Sequence, residues 1–408
     1  MAIACPDCGA LLSFPPLPRR STAICLRCRT RIESTSGRSL NVALACSIAV
    51  LLLLLPVDTL PLLRAEFLGQ SSARSLAEGV GHLWAHDWIT LAALSTIFVI
   101  VLPAVRTALL VAVLGMLRLR QRPPWLGCAF RWAVWLGPWA MLDVFLLAVA
   151  VGYYYLTEIE HLTVRIELGG ILLLVAGLLT MLARAALEER TVWRAIGAES
   201  PAVAGEHALG CGTCGLVQPP PRAGGRCPRC GARNRPRRLD ATPRTAALVS
   251  AAFVLLFPAN FFPMNSSNLL GVHREYTNFG YVQQLWHHGL WPLGVITFWT
   301  SIITPALMIS CVGWCVLSVE RRSARRLALK TQLLRMVAET GRWSETGPLS
   351  IMFFAPLIDF GRLGAENAGW GATAFIVMTL LVIAAAVTFD SRVMWDASPR
   401  TEAIERSS

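Results

Sequence analysis

Eight long apolar runs dominate this sequence and leave few options for its fold. They cover roughly residues 40–60, 89–117, 133–156, 168–187, 244–263, 291–319, 343–360 and 370–389. A bilayer core about 30 Å thick needs about 20 helical residues to cross it. Inside hydrocarbon each backbone amide must be bonded within its own segment, so such runs read as transmembrane helices. Composition agrees: 54% of the residues are hydrophobic and 15% charged, against about 25% charged in a soluble domain. The same apolar content excludes disorder over most of the length. The second and sixth runs are long enough to tilt or to extend past the bilayer. The seventh is the weakest, being short and interrupted by Pro348, Pro356 and Asp359. Residues 1–39 contain no apolar stretch of the kind that marks a cleavable signal peptide, and none is expected.

An even number of crossings puts both termini on one side. The loops on that side are 1–39, 118–132, 184–244, 320–342 and the tail after 389. They hold 31 of the 37 basic residues, all Arg except Lys330. The positive-inside rule then makes both termini cytoplasmic. It also accounts for the net charge of +12 without a nucleic-acid partner, and none is expected. Trp84, Trp88, Trp286, Trp291 and Trp370 lie near span ends on the other side, as interfacial Trp does. Polar and apolar residues alternate from His161 to Leu168, the period of a half-buried strand, so a small extracytoplasmic β element is expected between spans three and four. Residues 321–341 mix basic and apolar side chains. They read either as a helix lying on the cytoplasmic face or as a solvated loop helix.

The chain repeats itself after about 202 to 211 residues. Cys25-Leu26-Arg27-Cys28 returns as Cys227-Pro228-Arg229-Cys230, and Leu83-Trp84 with His86 returns as Leu285-Trp286 with His288. Pro56 and Pro61 return as Pro258 and Pro263, with Asp58 replaced by Asn260, and Pro103 returns as Pro305. Two tandem halves follow, each a cysteine module leading into four spans of the same orientation, in the manner of parallel-repeat transporters. The expected division is a first module at 1–39, a first membrane half at 40–187, a linker and second module at 188–243, a second half at 244–390 and a tail at 391–408. Pro56, Pro61, Pro258 and Pro263 sit at the outer ends of spans one and five, where proline bends or ends a helix. Pro103 and Pro305 lie inside spans two and six, where the freed carbonyls need other partners. With Asn260 these prolines are candidates for cavity-lining breaks, although a plain structural kink is the commoner use.

Eight of the 12 cysteines form four C-x-x-C knuckles. Cys5 and Cys8 are followed by Cys25 and Cys28; Cys211 and Cys214 are followed by Cys227 and Cys230. Knuckle pairs separated by about 12–20 residues are the spacing of a zinc ribbon. Disulfides are disfavoured in a reducing cytoplasm, and a redox dithiol lacks its βαβ context. Two structural Zn ions are therefore expected. Four Cys ligands leave no position for a catalytic water, and modules of about 30 residues are too small to fold without metal. Gly9, Gly215 and Gly231 follow three of the knuckles and ease the tight turn.

Two charges stand inside the apolar runs. Arg106 in span two and Asp143 in span three both fall about 15–17 Å from the cytoplasmic face. A lone charge at that depth is costly, so the two are expected to face each other or to share a polar cavity. A static pair that only fixes helix packing fits the sequence nearly as well as a headgroup-linked or proton-linked role.

Two four-Cys ribbons, each leading into four spans, resemble the paraquat-inducible protein A family of bacterial inner-membrane proteins. Leu256 to Pro263 is similar to its LPAN-x-x-P segment, and Gly341-Arg342-Trp343-Ser344 to its G-R-W-S motif. Thr388 to Arg392 with Trp395-Asp396 is similar to its ending. Two departures stand out. Met308 occupies the family's Lys position after Pro305, and the repeat partner of Asp143 is Phe353, so the second half is expected to lack both intramembrane charges. The resemblance implies an inner-membrane component of an envelope lipid-transport system. It would load or receive phospholipid for a periplasmic partner built of mammalian-cell-entry (MCE) domains. The competing reading is a non-transporting scaffold that anchors periplasmic and cytoplasmic partners. No nucleotide-binding or hydrolytic motif is present, so an enzyme is not expected. Transport requires a polar, lipid-accessible cavity among the spans; a scaffold requires tight apolar packing.

Overall fold

A computed structural model describes residues 2–13, 18, 21–34, 40–86, 88–157, 162–197, 209–218, 225–233, 240–269, 272–360 and 364–396. Among the described residues six helices are long and apolar enough to cross a bilayer: α1 (Leu40–Thr59), α2 (Ile89–Arg118), α4 (Leu168–Ala186), α5 (Ala241–Phe261), α6 (Trp291–Glu320) and α8 (Trp370–Thr388). Their outer faces carry exposed Leu52, Leu55, Val254 and Leu307, the pattern of helices that face lipid. The remaining two runs fold differently from expectation. The third is split into a helix Leu126–Trp135 and α3 (Leu142–Thr157). Gly137 and Pro138 stand in the break, where proline cannot supply the amide that would continue the first helix. The seventh starts as a short 3₁₀ turn, Gly341–Glu345, and continues as α7 (Thr346–Leu357).

The two long bent helices, α2 and α6, share one irregularity. In α2, Leu102 N–H reaches Ile97 O; in α6, Thr304 N–H reaches Trp299 O. These i→i−5 bonds fall one residue before Pro103 and Pro305. A proline offers no amide to the carbonyl four residues back and crowds it, and a π-bulge relieves that conflict locally. The expected breaks at Pro103 and Pro305 thus take a definite form.

One end of the helices carries two three-stranded antiparallel sheets. In the first, β1 (Leu63–Phe67) is flanked by β2 (Gln70–Arg74) and β3 (Leu162–Ile166). In the second, β4 (Pro263–Leu269) is flanked by β5 (Val272–Thr277) and β6 (Gly364–Ala368). The strand expected from the alternation after His161 is β3; His161 itself lies outside the described residues. The second sheet has no counterpart in the sequence reading, because β4 is mostly polar and lacks alternation. Each sheet ties the end of one helix to the start of another. A Cβ on Gly169 of α4 would come within 2.5 Å of Pro61 O, and one on Gly371 of α8 within 2.5 Å of Phe262 O. Only glycine permits those two crossings.

Helices α1 and α4 pack together, as do α5 and α8, while α7 lies against α3 and joins the two parts of the chain. At that joint Phe145 meets Phe353 edge-on, with ring centroids 5.9 Å apart. At the opposite end from the sheets, the cysteine modules dock crosswise. The first module touches late elements: Arg335 pairs with Asp7 at 3.4 Å, Ser391 Oγ donates to Asp7 O at 3.0 Å, and Arg27 stacks on Trp395. It also pairs Glu33 with Arg194. The second module touches early elements: Arg190 Nη1 donates to Cys214 O at 3.0 Å, and the Arg229 backbone leaves no room for a side chain at Gly127. Ile3 and Leu216 bridge the two modules. The helix Leu327–Thr340 covers most of the 321–341 segment and packs on α6, burying Leu334, Val337 and Lys330. It is therefore a docked helix rather than a solvated one.

Candidate functional site

Each cysteine module is built from turns that present thiols to one point. In the first, Cys5 Sγ lies 3.5 Å from Cys28 Sγ, and Cys8 Sγ lies 3.6 Å from Cys25 Sγ. In the second, Cys211–Cys230 and Cys214–Cys227 are both 3.6 Å apart. All eight thiols are buried, and each set of four could hold a metal ion. The knuckle turns need a left-handed residue after the second Cys. Gly9, Gly215 and Gly231 supply it at φ of 72°, 70° and 65°, while Arg29 does so at 58°. Four thiolates around Zn at 2.3 Å would stand about 3.8 Å apart, so the donor sets fit that ion closely.

Between α3, α6, α7 and the second sheet lies a partly open cleft. Leu156, Met264, Ile351 and Phe354 supply apolar walls. Asn278, Thr297, Thr300, Ser301, Thr346 and Ser350 supply polar groups. The polar side follows from the bulge in α6. Pro305 cannot bond the carbonyl of Ser301, four residues back. Asn278 Nδ2 donates to that carbonyl at 3.2 Å and also to Asn260 Oδ1 at 3.2 Å. Asn260 in turn donates to Leu256 O at 2.8 Å. Asn260 and Pro305 are thereby joined at the cleft through Asn278. Pro263 precedes the lining residues Met264 and Asn265. Pro258 lies inside α5, and Pro56 inside α1. Pro56, Pro61, Pro103 and Pro258 are not among the cleft-lining residues. Asn278 escaped the sequence reading because Leu76 stands at the equivalent point of the first repeat. The available signal was an N-cap residue, Thr277, directly before it.

Arg106 and Asp143 stand in one cluster of buried charges without direct contact between them. The break at Gly137-Pro138 puts Asp143 in the first turn of α3 rather than deep inside a continuous helix. A carboxylate there is favoured by the helix dipole. Its Oδ2 lies 3.2 Å from Arg184 Nη1 and 3.0 Å from Arg342 Nη2. Those two arginines, not Arg106, are its direct partners. Arg184 also donates to Ala140 O at 2.9 Å, and Arg342 lies over the Trp343 ring. Arg106 is buried and lines a small pocket with Arg184, Thr107 and Thr180. Counting charges inside apolar runs could not find Arg184 or Arg342, since both sit at helix ends and were assigned to loops. Met308 and Phe353 are fully buried, as apolar residues at those positions should be. Among its described residues the second half keeps two buried carboxylates, Glu345 at the start of α7 beside the cleft residue Thr346, and Asp390 after α8.

The comparisons with known proteins cover nearly the whole chain. The sequence model of the family described as "Paraquat-inducible protein A" matches residues 40–197 and 242–398. The chain is 26% identical over 414 residues to the "Intermembrane transport protein PqiA" of Escherichia coli K12, covering 98% of this chain and 97% of that one. It is 29% identical over 402 residues to the "Lipophilic envelope-spanning tunnel protein A" of the same organism, covering 96% and 91%. No solved structure matches it. The two family matches begin at the starts of α1 and α5 and each takes in one of the two sheets, and on that basis the chain belongs to the paraquat-inducible protein A family.

Proposed function

We propose that this protein is the inner-membrane component of an envelope lipid-transport system, which loads phospholipid into, or receives it from, a periplasmic MCE-domain partner. The observation that carries the reading is the cleft beside α7. It is a partly open gap among the helices, lined by residues of α3, α6 and α7 and by Met264 and Asn265 of the second sheet. It pairs apolar walls with convergent hydroxyl and amide groups, which suits an acyl chain beside a polar headgroup. A scaffold has no use for such a gap, because unfilled space between helices costs packing energy. The names of the two relatives, which speak of intermembrane transport and an envelope-spanning tunnel, support the same reading.

Several finer assignments belong to this proposal. The chain sits in the inner membrane with both termini cytoplasmic, as the arginine distribution requires. The two shorter helices, α3 and α7, are the third and seventh crossings of two tandem four-helix halves, 40–187 and 244–390, preceded by ribbons at 1–39 and within 188–243. Each ribbon holds one structural Zn, through Cys5, Cys8, Cys25 and Cys28 and through Cys211, Cys214, Cys227 and Cys230. The ion closes the fold of a module too small to be stable alone. The cluster of Asp143 with Arg184, Arg342 and nearby Arg106 braces the cytoplasmic side of the helices beneath the cleft.

A photoreactive residue at Ser350 tests the cleft reading. In cells it should give adducts with phospholipid, and the adducts should fall when Thr297→Trp fills the facing wall. Adducts unchanged by that substitution, with the variant folded, would show that Ser350 merely meets bulk bilayer lipid.

A further inference from the structure

At the sheet end of the molecule, away from the cysteine modules, three more metal-type ligands converge. His82 and His86 are one turn apart on the helix Leu76–Ala85 and its C-cap, and Asp359 follows the end of α7. One donor atom from each lies within 4.8 Å of the others. His82 Nε2 is 2.9 Å from Asp359 Oδ2, and the two imidazoles stack with centroids 3.9 Å apart.

Protonation states follow from the partners. His86 Nδ1 lies 2.9 Å from the carbonyl oxygen of His82. A carbonyl can only accept, so Nδ1 carries the proton and donates. In the neutral ring Nε2 is then left with its lone pair. This backbone-anchored tautomer is the arrangement metal-bound histidines use to fix their orientation. Two imidazole nitrogens and one carboxylate oxygen converging within reach of one point are a donor set that suits a divalent ion.

We propose that His82, His86 and Asp359 form a binding site for a divalent transition-metal ion of the zinc class. Two nitrogens and one carboxylate oxygen, with a remaining position for water, are a ligand set that zinc accepts. For the ion to bind at His82 Nε2, the neutral ring carries its proton on Nδ1 instead, so that Nε2 offers its lone pair and Asp359 Oδ2 its charge to the ion. The bound ion joins the first repeat, through the Leu76–Ala85 helix, to the second, through the end of α7. Ile358, the residue before Asp359, lines the cleft, so the metal holds one cleft wall in place. Among the described residues the site occurs once. At the repeat-equivalent positions stand Gln284 and His288, and Gln284 is a poor replacement for a ligating imidazole.

The test is a metal count on the full-length, tag-free protein in detergent. After dialysis against EDTA, wild-type protein is titrated with Zn²⁺ against a chromogenic chelator, alongside His86→Gln and Asp359→Asn. His86 is exposed, so its replacement should leave the fold intact, and far-ultraviolet circular dichroism checks this. Wild type should take up one equivalent more than either variant, whatever the cysteine clusters hold. The affinity lost should exceed the roughly 10- to 100-fold loss seen for an outer-shell partner. A Cu²⁺-loaded wild-type sample should show nitrogen couplings in its electron paramagnetic resonance spectrum, and these should weaken in His86→Gln. Equal uptake by wild type and both folded variants, or no copper–nitrogen coupling, overturns the site. Loss of the cysteine-bound metal with this equivalent retained would count against the ribbons and not against this inference.

Discussion

Gly152 and Phe354 give the sharpest test of the joint between α3 and α7. Both line the cleft, and a Cβ placed on Gly152 would sit 1.9 Å from Phe354 Cε2 and 2.5 Å from Cδ2. Ordinary contact is 3.4–4 Å, so the ring must retreat well over an ångström. Phe354 is 4% exposed, and the space open to its ring is the cleft itself. Gly152→Ala should therefore cost about 1–3 kcal/mol of overpacking, roughly 5- to 150-fold in the folded-to-unfolded ratio. Equilibrium unfolding in mixed micelles reads this directly. Phe354→Leu should lose part of the wild-type packing by itself yet relieve Gly152→Ala, so the two changes should couple non-additively. Purely additive effects, or a Gly152→Ala protein as stable as wild type, would refute the close α3–α7 contact and the cleft wall drawn from it.

Other expectations rest on separate parts of the molecule. Asp143→Asn should destabilise by about 3–5 kcal/mol, because it strips the shared partner from Arg184 and Arg342; a shift in unfolding midpoint checks this, and Arg342→Met should recover part of the loss. Purified protein should contain two Zn per chain in its cysteine modules, and Cys214→Ser should expose the second module to protease while α1 to α8 stay inserted. Asn278→Leu should leave Ser301 O without its side-chain donor, at about 1–3 kcal/mol, and should lower phospholipid co-purification. Membrane-impermeant thiol reagents should reach probes at Ser72 and Ser267 in spheroplasts but not one at Ser323; the opposite pattern reverses the orientation.

Length and hydropathy were enough to locate the six long helices within a few residues, because a bilayer imposes one period and one length. The same criteria did not register that the third and seventh runs fold as the shorter helices α3 and α7. Gly137-Pro138 splits one of them by removing a backbone donor, a local effect that average hydropathy does not register. Cysteine spacing located both modules, since four thiolates on two turns leave little geometric freedom. Their crosswise docking was not legible: it depends on pairs such as Arg335 with Asp7 and Arg190 with Cys214 O, which are far apart in sequence. The charge cluster was half legible. Asp143 stood out as a buried carboxylate, but its partners Arg184 and Arg342 lie at helix ends, where positive residues are expected anyway. The cleft depends on Asn278 meeting a carbonyl freed by Pro305. The proline was visible in the sequence, and its partner was not.

The central claim is that lipid moves through the cleft beside α7, and a reconstituted transfer assay tests it most directly. Fluorescent phospholipid would be supplied in proteoliposomes containing this protein, with a soluble MCE-domain partner as the other lipid carrier. Transfer in either direction should depend on the protein. It should be lost when Ser350→Trp fills the cleft in a variant whose helices and cysteine modules remain folded. Transfer by Ser350→Trp at the wild-type rate would contradict the account and return the chain to the scaffold reading.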